Sequence, residues 1–209
     1  MLDLLDYRRR VSELYATVRQ ANGDQAAWQT WRQVRDDLFQ NHPQSALDDT
    51  QRQTFEGLPY FDYDAAFRVV VPVDYAVESF THQGEIGADG HLAYTRFAQV
   101  TFTVPTGTGT LSLFWINGYG GGVFIPFRDA TNSTTTYGAG RYLYDTIKGA
   151  DLGASSDEII LDFNYAYHPS CAYHPRWVCP LAPPENRLSI PIPVGERLTA
   201  ESASDTITR

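Results

Sequence analysis

The run from Asp162 to Leu188, DFNYAYHPSCAYHPRWVCPLAPPENRL, constrains this chain more than any other stretch. Pro169, Pro175, Pro180, Pro183 and Pro184 punctuate it too closely for a helix, because each removes a backbone donor and clashes with the preceding turn. Tyr165, Tyr167, Tyr173 and Trp177 are threaded between them. The stretch therefore reads as a long loop over residues 165–187 that packs its aromatic rings. Its prolines lower the entropy of the unfolded chain and its rings supply apolar area, so it is expected to be ordered without a partner. Ordered loops of this length carry function disproportionately often. This one also holds both cysteines and two of the five histidines.

Upstream, Leu4, Tyr7, Val11, Leu14, Tyr15 and Val18 recur at three- and four-residue steps, which predicts an amphipathic helix. Asn22-Gly23-Asp24 breaks it and offers Asp24 as the next N-cap. Trp28, Trp31, Val34 and Leu38 form a second stripe, stopped at His42-Pro43; at that spacing the tryptophans read as packing residues. From Phe67 the period changes to two. Strands are expected over 67–73, 97–104, 111–116, 123–127, 141–147, 158–164 and 188–194, separated by glycine-rich turns. The glycines at 118–122 lack a following helix and a Lys-Ser/Thr pair, so they read as a hairpin and not a phosphate cradle. The expected fold is α+β in one domain: a helical part over 1–55 packed on a β-rich body over 56–197, the latter an antiparallel β-barrel or β-sandwich, with a polar tail over 198–209.

Apolar residues make up 43% of the 209 positions, enough for a substantial single core. The formal net charge of −9 argues against a nucleic-acid partner, whose footprint is a basic stripe. Lys148 is the sole lysine. The amino-terminal segment MLDLLDYRRR has acids where a secretion signal needs bases, and no run approaches a membrane span. A cytoplasmic protein with reduced cysteines and no membrane partner is the expectation.

Several phrases match a known pattern in order: FEGLPYFDYDAAFRVV (Phe55–Val70), FIPFRDAT (Phe124–Thr131), TYGAGRYLYDT (Thr136–Thr146), the run from Asp162 to Leu188, and PIPVGER (Pro191–Arg197). In these phrases the chain resembles the domain-of-unknown-function 1684 family. The resemblance implies a bacterial or archaeal protein and supplies no activity. His168 and His174 depart from the pattern, which has an asparagine and a variable residue there.

Candidate chemistry gathers around the long loop. Asp162 and Asn164 share a strand face, and folding the strands at 141–147 and 158–164 as a hairpin brings Arg141 to them. With Tyr142 and Tyr167 they would form a polar pocket for an unidentified small molecule, rimmed by Cys171, Cys179, Glu185 and Asn186. Bracing of the loop by an Arg141 ion pair is the competing reading. His168, Cys171, His174 and Cys179 have the composition of a tetrahedral zinc site, but each histidine precedes a proline that holds it extended. Zinc is accordingly the alternative, and no cofactor is the main expectation. A rigid structural or protein-interaction cap is a further alternative. No catalytic triad order is visible, so the residues leave open whether the protein is an enzyme.

Overall fold

The computed structural model describes residues 1–85 and 90–199. The tail expected from residue 198 lies outside the described residues from 200 onward. Helix α1 (Leu2–Ala21) ends at Asn22, which takes the left-handed conformation, and α2 (Gln25–Asn41) starts where the Asp24 carboxylate accepts from the Ala26 N–H at 3.0 Å. A short α3 (Asp49–Gln53) was not anticipated, although Asp48 and Gln51 form a reciprocal capping box.

The β residues form two antiparallel sheets. Strand β1 (Arg68–Pro72) pairs only with β7 (Glu158–Asp162). The other five strands, β2 (Thr81–Glu85), β3 (His91–Val104), β4 (Gly107–Ile116), β5 (Gly122–Phe127) and β6 (Arg141–Asp145), form a meander in sequence order. Among the described residues β2 and β6 are its unjoined edges, so the α+β class holds, while of the expected barrel or sandwich no closed barrel is found and a sandwich is not established. The long β3–β4 hairpin follows its sequence alternation. Ala98, Val100, Phe102, Val104, Leu111 and Leu113 are buried, while Thr101–Thr110 and Thr103–Thr108 pair hydroxyls across the open face at 3.2 and 3.0 Å.

Two expectations fail for identifiable reasons. β6 and β7 are not a hairpin: after β6 the chain makes a 3₁₀ turn and Ala150 exchanges both backbone hydrogen bonds with Asp145, so it leaves the sheet and β7 joins β1. β6 instead receives Tyr167, which exchanges hydrogen bonds with Tyr142 at 2.8 and 3.1 Å and covers part of the edge. The segment 188–194 is not a strand either. Pro191 and Pro193 cannot donate, and the carbonyls of Ile192 and Val194 are taken by the Arg141 guanidinium.

The helices close over one end of this β body. Trp31 is fully buried, its ring 5.0 Å from Tyr165, 5.6 Å from Tyr60 and 6.3 Å from Tyr15. Trp28 donates its indole N–H to the Asn164 carbonyl at 2.9 Å. Both tryptophans are thus packing residues, each burying area worth roughly 2–3 kcal/mol.

Candidate functional site

Between α1, α2, the end of β6 and the 165–187 loop lies a cavity of about 610 Å³. The α1 wall is the sequence stripe itself, Leu4, Tyr7, Val11, Leu14 and Tyr15, joined by Arg8. α2 contributes Arg35, Leu38 and Phe39, and the β6 end contributes Tyr142, Asp145 and Lys148. The loop closes the cavity with Tyr167, His168, Pro169, Ser170, Trp177 and Val178.

The loop is held by donors aimed at backbone. Tyr142 donates its hydroxyl to the Pro180 carbonyl, Trp177 donates Nε1 to Ala46 O at 2.9 Å, and Arg176 reaches the carbonyls of Ser45 and Leu47 at 3.0 Å each. Gln51 of α3 adds a bond to Tyr173 O at 2.8 Å.

Beneath the loop sits a buried ionic cluster. Arg35 donates Nε to the Tyr60 hydroxyl at 2.9 Å and Nη2 to Glu196 Oε2 at 2.8 Å, while its guanidinium lies over the rings of Trp31 and Tyr167 at 4.8 and 5.0 Å. Burial opposes the charge, but the neighbouring Tyr60 and Glu196 outweigh it and hold Arg35 protonated. Glu196 is completely buried and also accepts from the Tyr173 hydroxyl and the His168 N–H. Burial pushes its carboxyl above the usual range, and Arg35, Tyr173 and His168 pull it back. Gly195 sets this position: its φ is +79°, and a Cβ there would sit 2.7 Å from the carbonyl oxygens of both Phe163 and Ala166.

Lys148 pairs with Asp145 at 3.2 Å, and that carboxylate holds its ammonium above the ordinary lysine value. The Tyr15 hydroxyl, in a residue only 2% exposed, has the Trp31 indole beside it, yet neither atom makes a well-formed hydrogen bond.

Of the candidate site residues singled out from sequence, Tyr142, Tyr167 and His168 line this cavity. Arg141, Asp162 and Asn164 do not form a pocket together. Arg141 is fully buried and bonds Asp129 at 2.7 Å. Asp162 accepts from both the N–H and the side-chain amide of Asn164 and faces Arg68 at 3.7 Å, in a crevice of about 10 Å³ that admits no more than a water. Asn164 also braces the Asp64 backbone through its side chain. Asn186 fills the gap between β4 and β5 by bonding Ser112 N, Ser112 O and Pro126 O. Glu185 lies 3.4 Å from His82.

The zinc alternative does not assemble. His168 accepts the Tyr137 N–H at Nε2, which assigns its proton to Nδ1 facing Glu196, and burial keeps the ring neutral. His174 accepts the Arg176 N–H and faces Asp48 at 3.5 Å. No group of three or more His, Cys, Asp or Glu side chains is placed to hold a metal ion among the described residues. Cys171 and Cys179 are free thiols in contact with each other.

Sequence reading missed Arg35, Glu196, Asp145 and Lys148. One signal was available for Arg35: positions 28, 31, 35 and 38 keep the spacing of the buried α2 face, so a charge there had to be paired.

Asp162 yields a pH prediction. Burial raises its carboxyl to about 6, against the pull of Asn164 and Arg68. The folded state therefore keeps a proton that the unfolded chain releases near pH ~4, and stability falls as pH rises from there to about 6. The loss is on the order of 2–3 kcal/mol. Asp162→Asn keeps an acceptor for Asn164 and should gain stability relative to wild type across that window. Denaturant midpoints at both ends of the window check this; parallel curves for the two proteins would refute it.

Among the described residues no helix is long and apolar enough to cross a membrane. No curated protein matches the chain significantly. The solution NMR structure of an uncharacterized protein from Haloarcula marismortui is similar to 84% of this chain and 95% of that one, at 32% identity and a TM-score of 0.61. The family model described as a protein of unknown function (DUF1684) matches residues 53–197. The chain belongs to that family.

Proposed function

We propose that the protein binds an amphipathic organic anion in the cavity beneath the 165–187 loop. The observation that carries this reading is the cavity itself, whose 610 Å³ lies within the range of small-molecule sites, with mostly apolar walls and a few convergent polar groups. Three cations, Arg8, Arg35 and Lys148, line it; Glu196 pairs Arg35 and Asp145 pairs Lys148, so Arg8 carries the local excess of positive charge. In a chain of net charge −9 that local inversion favours an anionic group. Arg8 and the Tyr15 hydroxyl, unsatisfied among the described residues, supply donors, and Leu4, Val11 and Leu14 suit an apolar tail. A cytoplasmic location fits the reading.

Calorimetric titration with decanoate, set against decanol of equal chain length, tests the proposal. Saturable one-to-one binding is expected, with the carboxylate tighter by at least about tenfold, or about 1.4 kcal/mol. Lys148→Met should shrink that preference. Equal affinity for the two compounds would remove the anionic part of the reading.

A further inference from the structure

We infer that Cys171 and Cys179 form a thiol–disulfide exchange site in the cavity-capping loop, with Cys179 as the attacking sulfur and Cys171 as the resolving one. The inference stands on the thiols alone and does not depend on the ligand reading.

Geometry assigns the two roles. The Cys171 backbone N–H points at Cys179 Sγ at 3.3 Å, giving that sulfur the donor an anion needs. Cys171 is placed differently: its Sγ lies 3.8 Å from the Tyr137 hydroxyl, which also contacts its carbonyl at 3.3 Å. The adjoining Cys171 thiol, the Cys171 N–H and the nearby Lys148 hold Cys179 below the ordinary cysteine value against the opposing effect of burial. The Cys179 thiol and burial push Cys171 up. Other charged and titratable groups are also arranged around the pair: Tyr142 and Tyr137 face it from the sheet side, and Arg128 lies near Tyr137. Both cysteines are half-buried, so the pair lies partly open to solvent.

The chemistry closes with a low-molecular-weight disulfide as oxidant. Cys179 thiolate attacks one sulfur of oxidised glutathione, the S–S bond breaks, and one glutathione thiolate leaves and takes a proton from solvent. Cys171 then gives its proton to solvent and attacks Cys179 Sγ, expelling the second glutathione. Two cysteines lose two electrons, and one oxidised glutathione becomes two reduced ones. The product joins residues 171 and 179 across the segment that presents Trp177 and Val178 to the cavity.

Intact mass spectrometry of the native full chain after exposure to oxidised glutathione tests the site. Wild type is expected to lose two hydrogen masses as a monomer. Cys171→Ser should stop at a single glutathione adduct on Cys179, and Cys179→Ser should react at least about tenfold more slowly. Each variant's thermal midpoint is compared with wild type, and the wild-type result decides alone if a variant is unfolded. No reaction of the native wild type, a disulfide between two chains, or faster reaction of Cys179→Ser than of Cys171→Ser would each overturn the inference.

Discussion

Replacing Arg141 by alanine is expected to remove about 3–5 kcal/mol of stability. The guanidinium is fully buried, and Nη2 bonds Asp129 at 2.7 Å and the Ile192 carbonyl at 2.8 Å. Nη1 bonds the carbonyl of Val194 and, at 3.3 Å, that of Glu196. Truncation strands a buried carboxylate and leaves three carbonyls of the 188–196 segment without their donor. Those carbonyls have no sheet partner to return to, so the cost is not recovered by local rearrangement. Chemical denaturation of Arg141→Ala beside Asp129→Asn and the double variant measures it. The double variant should lie closer to wild type than the sum of the singles, since removing both charges spares the unpaired one. A loss under about 1 kcal/mol for Arg141→Ala would mean that the pair is solvated.

Glu196→Ala is expected to cost a comparable ~3–5 kcal/mol, by leaving Arg35 charged and buried without its acid. The damage should be spatially specific. Glu196 ties α2, through Arg35, to the loop, through the Tyr173 hydroxyl and the His168 N–H. Hydrogen exchange in Glu196→Ala should therefore accelerate in residues 167–174 before it changes in the β3–β4 hairpin. Uniform acceleration across the chain would contradict a role in seating the loop. Glu196→Gln, which keeps acceptor oxygen but loses the charge, should fall between the two.

Helices α1 and α2 were legible in the sequence because their apolar stripes and the Asp24 cap are local signals. The β3–β4 alternation was legible for the same reason. The partner of β7 was not, since Arg68↔Asp162 pairing joins residues almost a hundred positions apart and no turn signal marks it. The strand expected at 188–194 failed because a side chain, Arg141, took the carbonyls that another strand would have used. The loop's aromatic packing was readable, but the cavity beneath it was not. Its walls come from residues as distant as Leu4 and Val178, and only the folded chain brings them together. Three of the phrases that carried the family resemblance meet at the Arg141 guanidinium, which bonds the Asp129 carboxylate and the Glu196 backbone carbonyl. Asp129 comes from FIPFRDAT, Arg141 from TYGAGRYLYDT and Glu196 from PIPVGER.

The central claim is that the cavity between α1, α2 and the loop holds the ligand. Val11 lines it from the middle of the α1 stripe and is only partly buried, so Val11→Trp fills space that is already empty. The decisive measurement is decanoate titration of Val11→Trp beside wild type, with both thermal midpoints recorded. The account predicts saturable binding by wild type and its loss in a variant that melts within a few degrees of wild type. Undiminished binding by a folded Val11→Trp protein, or no binding by wild type, would contradict it.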